Sequence, residues 1–211
     1  MTPSPPASSR VPRLAIAGVW AACVVTGLGL LAAYAAQPGT SLDTPEAWPA
    51  GSGLAPPEDT GTILVFIHPR CACSRATLAE LARVVELTPA RERVVGILAA
   101  PPAVDDDWFR TTIASTLQGI ASEPVVLDTD ARLADLFGAR TSGHVIAYSP
   151  SGSLLFSGGI TGARGHEGDN HGASALLRAL AGDPHTTPRL PVLGCGLLDH
   201  APIEPCEGTP P

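Results

Sequence analysis

The sequence predicts an α/β domain, built as a mixed β-sheet with flanking helices and preceded by one transmembrane helix. Short apolar runs alternate with amphipathic stretches along residues 58–182, which is typical of strands and helices that alternate in one sheet. The last two predicted strands are joined by a Ser-Pro-Ser-Gly turn, which favours a hairpin and makes the sheet mixed. A long apolar run lies near the N-terminus.

That run, residues 14–36, contains no charged side chain and exceeds the ~20 residues that a helix needs to cross a bilayer. Two arginines precede it, and no Arg or Lys follows before Arg70. The positive-inside rule therefore predicts a cytoplasmic tail at residues 1–13 and a domain outside the cytoplasm. We expect a single-pass protein of the inner or cell membrane with a periplasmic or other extracytoplasmic domain. A signal peptide cleaved near Ala33-Tyr34-Ala35 is the alternative.

Residues 37–57 are rich in Pro, Gly, Ser and Ala without a sustained period, which predicts a spacer between membrane and domain. The first strand follows at 62–67, where an unbroken apolar, β-branched run indicates burial on both faces. Over 74–87 apolar and polar residues separate at helical spacing until Thr88-Pro89 ends the pattern, and Glu80 falls on the polar face of this helix.

The remaining elements continue the alternation. Gly138 closes one short helix, and the Pro-rich residues 183–211 predict an extended wrap rather than more sheet. The predicted elements are a strand at 93–99, a helix at 108–118, a strand at 124–127, a helix at 130–137, hairpin strands at 145–148 and 154–156, and a helix at 173–180.

Composition and motifs exclude several classes of function. All 13 basic residues are Arg, 20 residues are acidic, and the formal charge of −7 comes without a basic cluster, which argues against nucleic acid as a partner. The sequence contains neither a phosphate-binding G-x-x-x-x-G-K-[ST] motif nor a strand-borne G-x-G-x-x-G, so nucleotide binding has no support. Ser142 lacks the G-x-S-x-G context of a hydrolase nucleophile.

Cysteine usage points to redox or metal chemistry. Of the five cysteines, Cys23 lies in the apolar span, whereas Cys71, Cys73, Cys195 and Cys206 fall on the exported side. Four thiols are too few to form a disulfide framework that replaces a core in a domain of this size. An oxidising compartment nevertheless permits disulfides, so the closely spaced pair Cys71 and Cys73 is the candidate active pair.

Three motifs carry a family resemblance: FIHPRCACSR at 66–75, TSGH at 141–144 and GGITGARGH at 158–166. They resemble the thioredoxin superfamily, and look most like RedB-type membrane-anchored thioredoxin-like proteins. The resemblance implies a thioredoxin-like fold over about residues 60–182. It also implies a thiol–disulfide oxidoreductase or electron-transfer protein that acts on a protein thiol or disulfide.

The resemblance places Cys71 at the first cysteine of the family's Cys-x-x-Cys motif and Ser74 at the second. Gly143 stands where the family has a cis-proline that faces the active cysteine. This departure puts in doubt both the family's backbone contact to a partner chain and its exclusion of metal ions. Gly143 also allows close approach of the backbone, and His144 is then expected at the sheet edge near Cys71, or else as a polar surface residue.

The residues themselves explain why a cysteine at this position would react. The first turn of a helix offers free N–H groups and a positive dipole potential, which favour thiolate over thiol, and Arg70 would add to this. We hypothesise that Cys71 is the nucleophile and Cys73 the resolving thiol. A disulfide across one intervening residue is strained, so we expect a more oxidising pair than a structural disulfide. An inert pair, or a structural disulfide to Cys195 or Cys206, is the alternative.

Two further features of the sequence could modify this chemistry. Cys195, in the C-terminal extension, is a candidate second resolving thiol. The glycine-rich loop at 158–172 contains His166, a candidate acid or base toward Cys71. In a more conservative interpretation, Asp169 or Asn170 merely caps the last helix.

Metal binding is the competing interpretation. Cys71, Cys73, His166 and His171 could bind copper or zinc, for which thiolate and imidazole are suitable ligands. The protein would then be a metal-binding or metallochaperone-like domain without turnover. Thiol–disulfide exchange itself requires no cofactor.

Overall fold

The computed structural model describes residues 10–88, 92–101, 106–183 and 189–197. The chain separates into two compact units, Met1–Gln37 and Pro38–Pro211. In the first unit, helix α1 spans Arg10–Ala36. Its stretch Arg13–Ala36, with a mean hydropathy of 2.2, is long and apolar enough to cross a membrane, although an N-terminal signal sequence would have the same properties.

The described residues of the second unit form a five-stranded mixed sheet. The central strand, β1, pairs in parallel with β2 and antiparallel with β4, and the outer strands β3 and β5 extend the sheet in the order β3-β2-β1-β4-β5. The strands are β1 at Thr62–Ile67, β2 at Arg93–Ala100, β3 at Val126–Thr129, β4 at His144–Tyr148 and β5 at Leu154–Gly159.

Helices cover both faces of this sheet because β1 is apolar on both sides. Ile63, Val65 and Ile67 face one core, which α2, α3 and α5 complete. Leu64 and Phe66 face the other core, which contains α4. The fold is thioredoxin-like, so the predicted mixed sheet with flanking helices is confirmed. The helices are α2 at Ser74–Leu87, a 3-10 turn at Asp106–Trp108, α3 at Thr112–Ile120, α4 at Arg132–Phe137 and α5 at His171–Leu180.

Side-chain caps explain why two helices begin later than the sequence predicts. Helix α3 begins at Thr112 because the Thr111 hydroxyl accepts the Ala114 N–H at 3.1 Å. Helix α4 follows a turn in which the buried Asp128 carboxylate accepts the N–H groups of Leu133 and Ala134, each at 2.8 Å. Periodicity alone does not reveal such caps.

The predicted spacer covers residues 37–57, but residues 38–57 instead pack along the domain. Thr44 and Ser52 are buried, and the Trp48 ring stands edge-on to Phe137 and Tyr148 at centroid distances of 5.4 and 5.3 Å. The composition rules out a regular element here, but an extended chain can still bury an aromatic anchor. The spacer prediction was wrong because a segment without periodic apolar residues can still make contacts with the domain.

Glu80 also departs from its predicted place on a solvent-facing side of α2. The residue is 3% exposed. Its Oε1 accepts the Gly168 N–H at 2.7 Å and pairs with Arg83 at 3.0 Å. The glycine-rich loop lies over this part of α2, and the carboxylate holds the loop backbone there.

The described part of the C-terminal extension, residues 189–197, runs as an extended segment. It makes one bridge to β5, between Arg189 and Ser157, and a second bridge between Gly196 and Thr141. Cys206 lies outside the described residues.

Candidate thiol site

The connection from β1 to α2 positions the first two cysteines. The chain turns directly after β1, where the Cys71 N–H donates to the His68 carbonyl at 3.2 Å and the Ser74 N–H donates to the Cys71 carbonyl at 3.0 Å. Cys71 is 5% exposed, and Cys73, the N-cap residue of α2, is partly exposed. Both thiols therefore lie at the N-terminus of α2.

The C-terminal segment brings a third cysteine to the same place. The Ser142 N–H donates to the Cys195 carbonyl and the Leu197 N–H donates to the Arg140 carbonyl, both at 2.8 Å. The sulfur atoms of Cys71, Cys73 and Cys195 all lie within 4.8 Å of one another. We call these three residues the thiol cluster.

Glycines make this approach of the C-terminal segment sterically possible. A Cβ atom at Gly194 would lie 2.1 Å from the Ser142 carbonyl oxygen. A Cβ at Gly158 would lie 2.6 Å from the Leu190 carbonyl oxygen, and one at Gly159 would lie 2.9 Å from that of Pro191. Real side chains do not fit at such distances, so the segment reaches the site only because these positions lack a Cβ.

The thiol cluster is electrostatically asymmetric. Burial raises the pKa of Cys71, but hydrogen bonds from the Cys195 side chain and backbone and from the Ser74 hydroxyl outweigh it, and the net pKa is lowered. Burial and the charge of Cys71 raise the pKa of Cys73. Burial and the hydrogen bond with Cys71 raise the pKa of Cys195 to about 12. Of the three thiols, Cys71 is therefore the one whose thiolate form is favoured, with Cys195 as a hydrogen-bond donor to it.

A buried serine pair ties this site to the sheet. The Ser142 hydroxyl accepts the His68 N–H at 2.8 Å and lies 2.7 Å from the Ser74 hydroxyl. It thereby links the end of β1, the start of α2 and the turn before β4. The sequence alone does not reveal this role of Ser142, because the linkage joins positions distant in the chain.

Gly143 cannot be replaced by the proline of the resembling family. Its N–H donates to the Phe66 carbonyl at 2.8 Å, its φ is +94°, and a Cβ there would lie 2.6 Å from the Thr77 hydroxyl. Proline has no N–H and holds φ near −65°. A proline therefore does not fit at position 143 with the backbone as it stands.

Two arginines lie near the cluster. The Arg70 guanidinium stacks on the Trp108 ring, with Cζ 4.1 Å from the ring centroid, and the same ring lies edge-on to His68 at 5.5 Å. Arg164, in the glycine-rich loop, favours the thiolate form of Cys73. The neighbouring Gly165 lies against Cys73, where a Cβ would be 4.0 Å from the sulfur. The loop therefore borders the site at 164–165.

His144, expected at the sheet edge or on the surface, lies in the core. It is 1% exposed, and its Nε2 lies 2.8 Å from the Ser157 hydroxyl, which contacts the Thr44 hydroxyl at 2.6 Å. Burial lowers the pKa of His144 to about 4, so the imidazole is neutral at physiological pH. Its register on β4 turned it inward, which a single isolated histidine does not reveal.

The two loop histidines do not join the cluster. His166 and His171 are exposed, and among the described residues the group of close metal-ligating atoms consists of Cys71, Cys73 and Cys195. The helix cap predicted for this loop is present, since the Asn170 side chain accepts the Ala173 N–H at 2.8 Å. Cys195 thus takes the place that the sequence analysis gave to histidines.

Together, the strand order and the helix that follows the central strand give a thioredoxin-like fold, and three clustered thiols lie at the N-terminus of that helix. No protein-family model matches the sequence, and no curated protein matches it. Solved structures do match. A hypothetical protein from Sinorhizobium meliloti 1021 superposes with a TM-score of 0.53 at 17% identity, covering 77% of this chain and 98% of that one.

Two other solved structures are also similar to this chain, one with the same TM-score and one with a lower TM-score. An uncharacterised conserved protein from Geobacillus kaustophilus gives a TM-score of 0.53 at 16% identity, over 77% of this chain and 92% of its own. A secreted Mycobacterium tuberculosis disulfide oxidoreductase, homologous to E. coli DsbE, gives 0.42 at 16% identity, over 60% and 84%. At these identities the likeness concerns the fold, and the chemistry must be argued from the site.

Proposed function

We propose that this chain is a membrane-anchored, extracytoplasmic thiol–disulfide oxidoreductase in which Cys71 attacks a disulfide of a protein partner. The observation that supports this most directly is the thiol cluster: three sulfur atoms within 4.8 Å of one another, of which Cys71 has the lowered pKa. Thiolate is the attacking species in exchange, and a second thiol close by is needed to complete it.

The exchange has two steps. The Cys71 thiolate attacks one sulfur of the partner disulfide, so that a mixed disulfide forms and the partner's other sulfur leaves as thiolate. A second thiol of the cluster then attacks the Cys71 sulfur and releases the partner's remaining thiolate. Two electrons pass from the cluster to the partner, and the cluster is left with one disulfide. A dithiol partner would run the same steps in reverse.

The surroundings of Cys71 suit this role. The N-terminus of α2 directs backbone N–H groups and a positive potential at the sulfur, and the Ser74 hydroxyl adds a donor. Because Ser142 fixes Ser74 at 2.7 Å, this donor is held in place by the sheet. Donors arranged before the reaction stabilise thiolate without further reorganisation.

The proposed location rests on α1. Arg13–Ala36 is long and apolar enough to span a membrane, and the arginines before it favour an N-terminus in the cytoplasm. Carbonate washing of membranes tests the anchor. A protein that stays in the membrane pellet supports it, whereas release into the supernatant indicates cleavage.

The function is tested by disulfide reduction with the full chain in detergent micelles. We expect the reduced protein to cleave a fluorescent glutathione disulfide, Cys71→Ser to lose this activity, and Cys23→Ser, whose thiol lies in the apolar span, to retain it. Exchange activity that persists in Cys71→Ser would contradict the nucleophile assignment. Titration against glutathione then gives the potential, and an oxidised form that resists ordinary glutathione ratios would contradict the expected labile disulfide.

Binding of copper or zinc is the second candidate function. The cluster offers three thiolate ligands, and thiolates favour Cu(I) and Zn(II). Sulfurs that share one tetrahedral zinc ion at ~2.3 Å lie ~3.8 Å apart, which is compatible with the separations of no more than 4.8 Å in the cluster. Metal analysis of purified protein tests it. Stoichiometric metal that disappears in Cys71→Ser, together with absent exchange activity, would favour this candidate over the first.

A further inference from the structure

We propose that Cys195, rather than Cys73, is the thiol that resolves the mixed disulfide on Cys71, and that the resulting bond fastens the C-terminal segment 189–197 to the site. This inference rests on the proposed function, because it presupposes a mixed disulfide at Cys71. It replaces the role that the sequence alone suggested for Cys73.

The backbone geometry disfavours Cys73 as the resolving thiol. Cys73 has helical dihedrals, φ −66° and ψ −26°, and the turn around it is closed by the Ser74 N–H bond to the Cys71 carbonyl at 3.0 Å. The Cys71 and Cys73 sulfurs lie within 4.8 Å of each other, but the Cα–Cβ bonds of residues two positions apart in a helical turn diverge. A disulfide between Cys71 and Cys73 needs Cβ atoms ~3.5–4.5 Å apart with converging directions, so the turn that leads into α2 would have to open.

Cys195 approaches Cys71 under no such restriction. It lies on a separate extended segment, held on one side by the Ser142 N–H bond to its own carbonyl and on the other by the Leu197 N–H bond to Arg140. Its side chain hydrogen-bonds to that of Cys71, as the Cys73 side chain also does, so the backbone rather than the distance separates the two candidates. Because no short covalent ring joins the two residues, rotation of the side chains and a small shift of the segment can bring the sulfurs together.

Glycines on both sides adapt the segment to this task. Gly194 packs directly on the Ser142 carbonyl, where a Cβ would be 2.1 Å away, and Gly196 forms the bridge to Thr141. The segment is thus docked at two points that flank the sulfur. Cys195 is exposed although Gly194 before it and Leu197 two positions after it are buried, so the docked backbone presents an accessible thiol.

Resolution exchanges the bond between Cys71 and the partner for a bond between Cys71 and Cys195. The Cys195 thiol loses its proton to solvent and attacks the Cys71 sulfur of the mixed disulfide. The bond between Cys71 and Cys195 forms, the bond between Cys71 and the partner breaks, and the partner leaves as a thiolate that takes up a proton. The partner disulfide has then gained two electrons, and Cys71 and Cys195 have lost them.

Ellman's reagent, a disulfide whose released thiolate is coloured, separates attack from resolution. With one equivalent of the reagent, the full chain with Cys23→Ser and Cys206→Ser, reduced and in detergent, should release one equivalent of coloured thiolate on attack and a second on resolution. We expect Cys195→Ser to lose the second release and to accumulate the mixed disulfide in its intact mass. We expect Cys73→Ser to keep both releases.

The reverse pattern, in which Cys73→Ser stalls and Cys195→Ser resolves, would overturn this inference and leave the proposed function intact. A first release that survives in Cys71→Ser would instead overturn the proposed function. Peptide mapping of the oxidised chain with Cys206→Ser needs no change within the cluster. Trypsin cuts after Arg70, Arg75 and Arg189, so the inferred bond joins the peptide 71–75 to the C-terminal peptide, whereas a bond within 71–75 would refute it.

Discussion

Gly194→Ala should detach Cys195 from the thiol cluster without removing any sulfur. The added Cβ would lie 2.1 Å from the Ser142 carbonyl oxygen and 3.1 Å from the Thr141 methyl. The nearer atom belongs to the backbone of a buried residue, so it cannot rotate away. We therefore expect the C-terminal segment, rather than the sheet, to move.

The contacts that dock this part of the segment set the magnitude. Two backbone hydrogen bonds, from Ser142 to Cys195 and from Leu197 to Arg140, contribute about 1 kcal/mol each. Leu197 is 3% exposed, and burial of a leucine contributes about 2 kcal/mol. Release of the segment thus costs about 4 kcal/mol. This value is an upper limit for the loss in free energy of unfolding, because the variant can relieve the clash by releasing the segment and then loses no more than these contacts.

The cysteines report this release through their reactivity. Once Cys195 no longer donates to it, the pKa of Cys71 should rise and its alkylation by iodoacetamide at neutral pH should slow. The pKa of Cys195 should fall from about 12 toward its ordinary value, because the burial and the hydrogen bond with Cys71 that raise it are lost, and its alkylation should accelerate. Tandem mass spectrometry of the tryptic peptide 71–75 and of the C-terminal peptide that begins at Leu190 assigns the alkylation to each cysteine and measures both rates.

Gly119→Ala is the matched control. Gly119 lies in α3, and a Cβ there meets no atom within 4 Å, so neither alkylation rate should change and stability should rise by up to ~1 kcal/mol. If Gly194→Ala leaves both alkylation rates at the wild-type values, the argued dependence of Cys71 on the docked segment is refuted.

Three further predictions concern the surrounding fold. As the pH falls from 6.5 to about 4, His144 becomes protonated in the unfolded chain before it does in the folded one. The free energy of unfolding should therefore fall by about 3 kcal/mol more in the wild type than in His144→Gln. Chemical denaturation at several pH values measures this, and an equal pH dependence of the two proteins would contradict it. Gly143→Ala should cost at least about 2 kcal/mol through its positive φ and its clash with Thr77, with partial recovery in the double variant with Thr77→Ala; an unchanged melting temperature of Gly143→Ala would refute the strain. Glu80→Ala should accelerate hydrogen exchange at Gly168, whose N–H donates to Glu80 at 2.7 Å; unchanged protection there would mean that other contacts hold the loop.

Local patterns predicted much of the fold and the main cysteine. The apolar run at 62–67 and the periodicity at 74–87 specified β1 and α2 to the residue. Because a helix that follows a central strand begins at the sheet edge, the same patterns put Cys71 at a helix N-terminus. Helices α3 and α4 have less regular patterns and begin later than predicted, because side-chain hydrogen bonds determine their first residues.

Burial within the core was less predictable. Glu80 and His144 are polar, and each was expected at or near solvent. Glu80 is covered by a loop whose N–H it accepts, and His144 is turned inward by the register of β4 against β1. In both cases the deciding contact comes from another part of the chain, so the residue's own neighbours in sequence carry no sign of it.

The sequence by itself determined the alternation of strands and helices, the apolar N-terminal helix and the placement of Cys71 before α2, because these follow from periodicity over a few residues. Only the tertiary structure decided that residues 38–57 pack on the domain and that Cys195 meets Cys71. Those contacts join distant segments through backbone hydrogen bonds and through close packing at glycines such as Gly194. The need for glycine at such a position follows only from the atom that a Cβ there would meet, and that atom belongs to a distant residue.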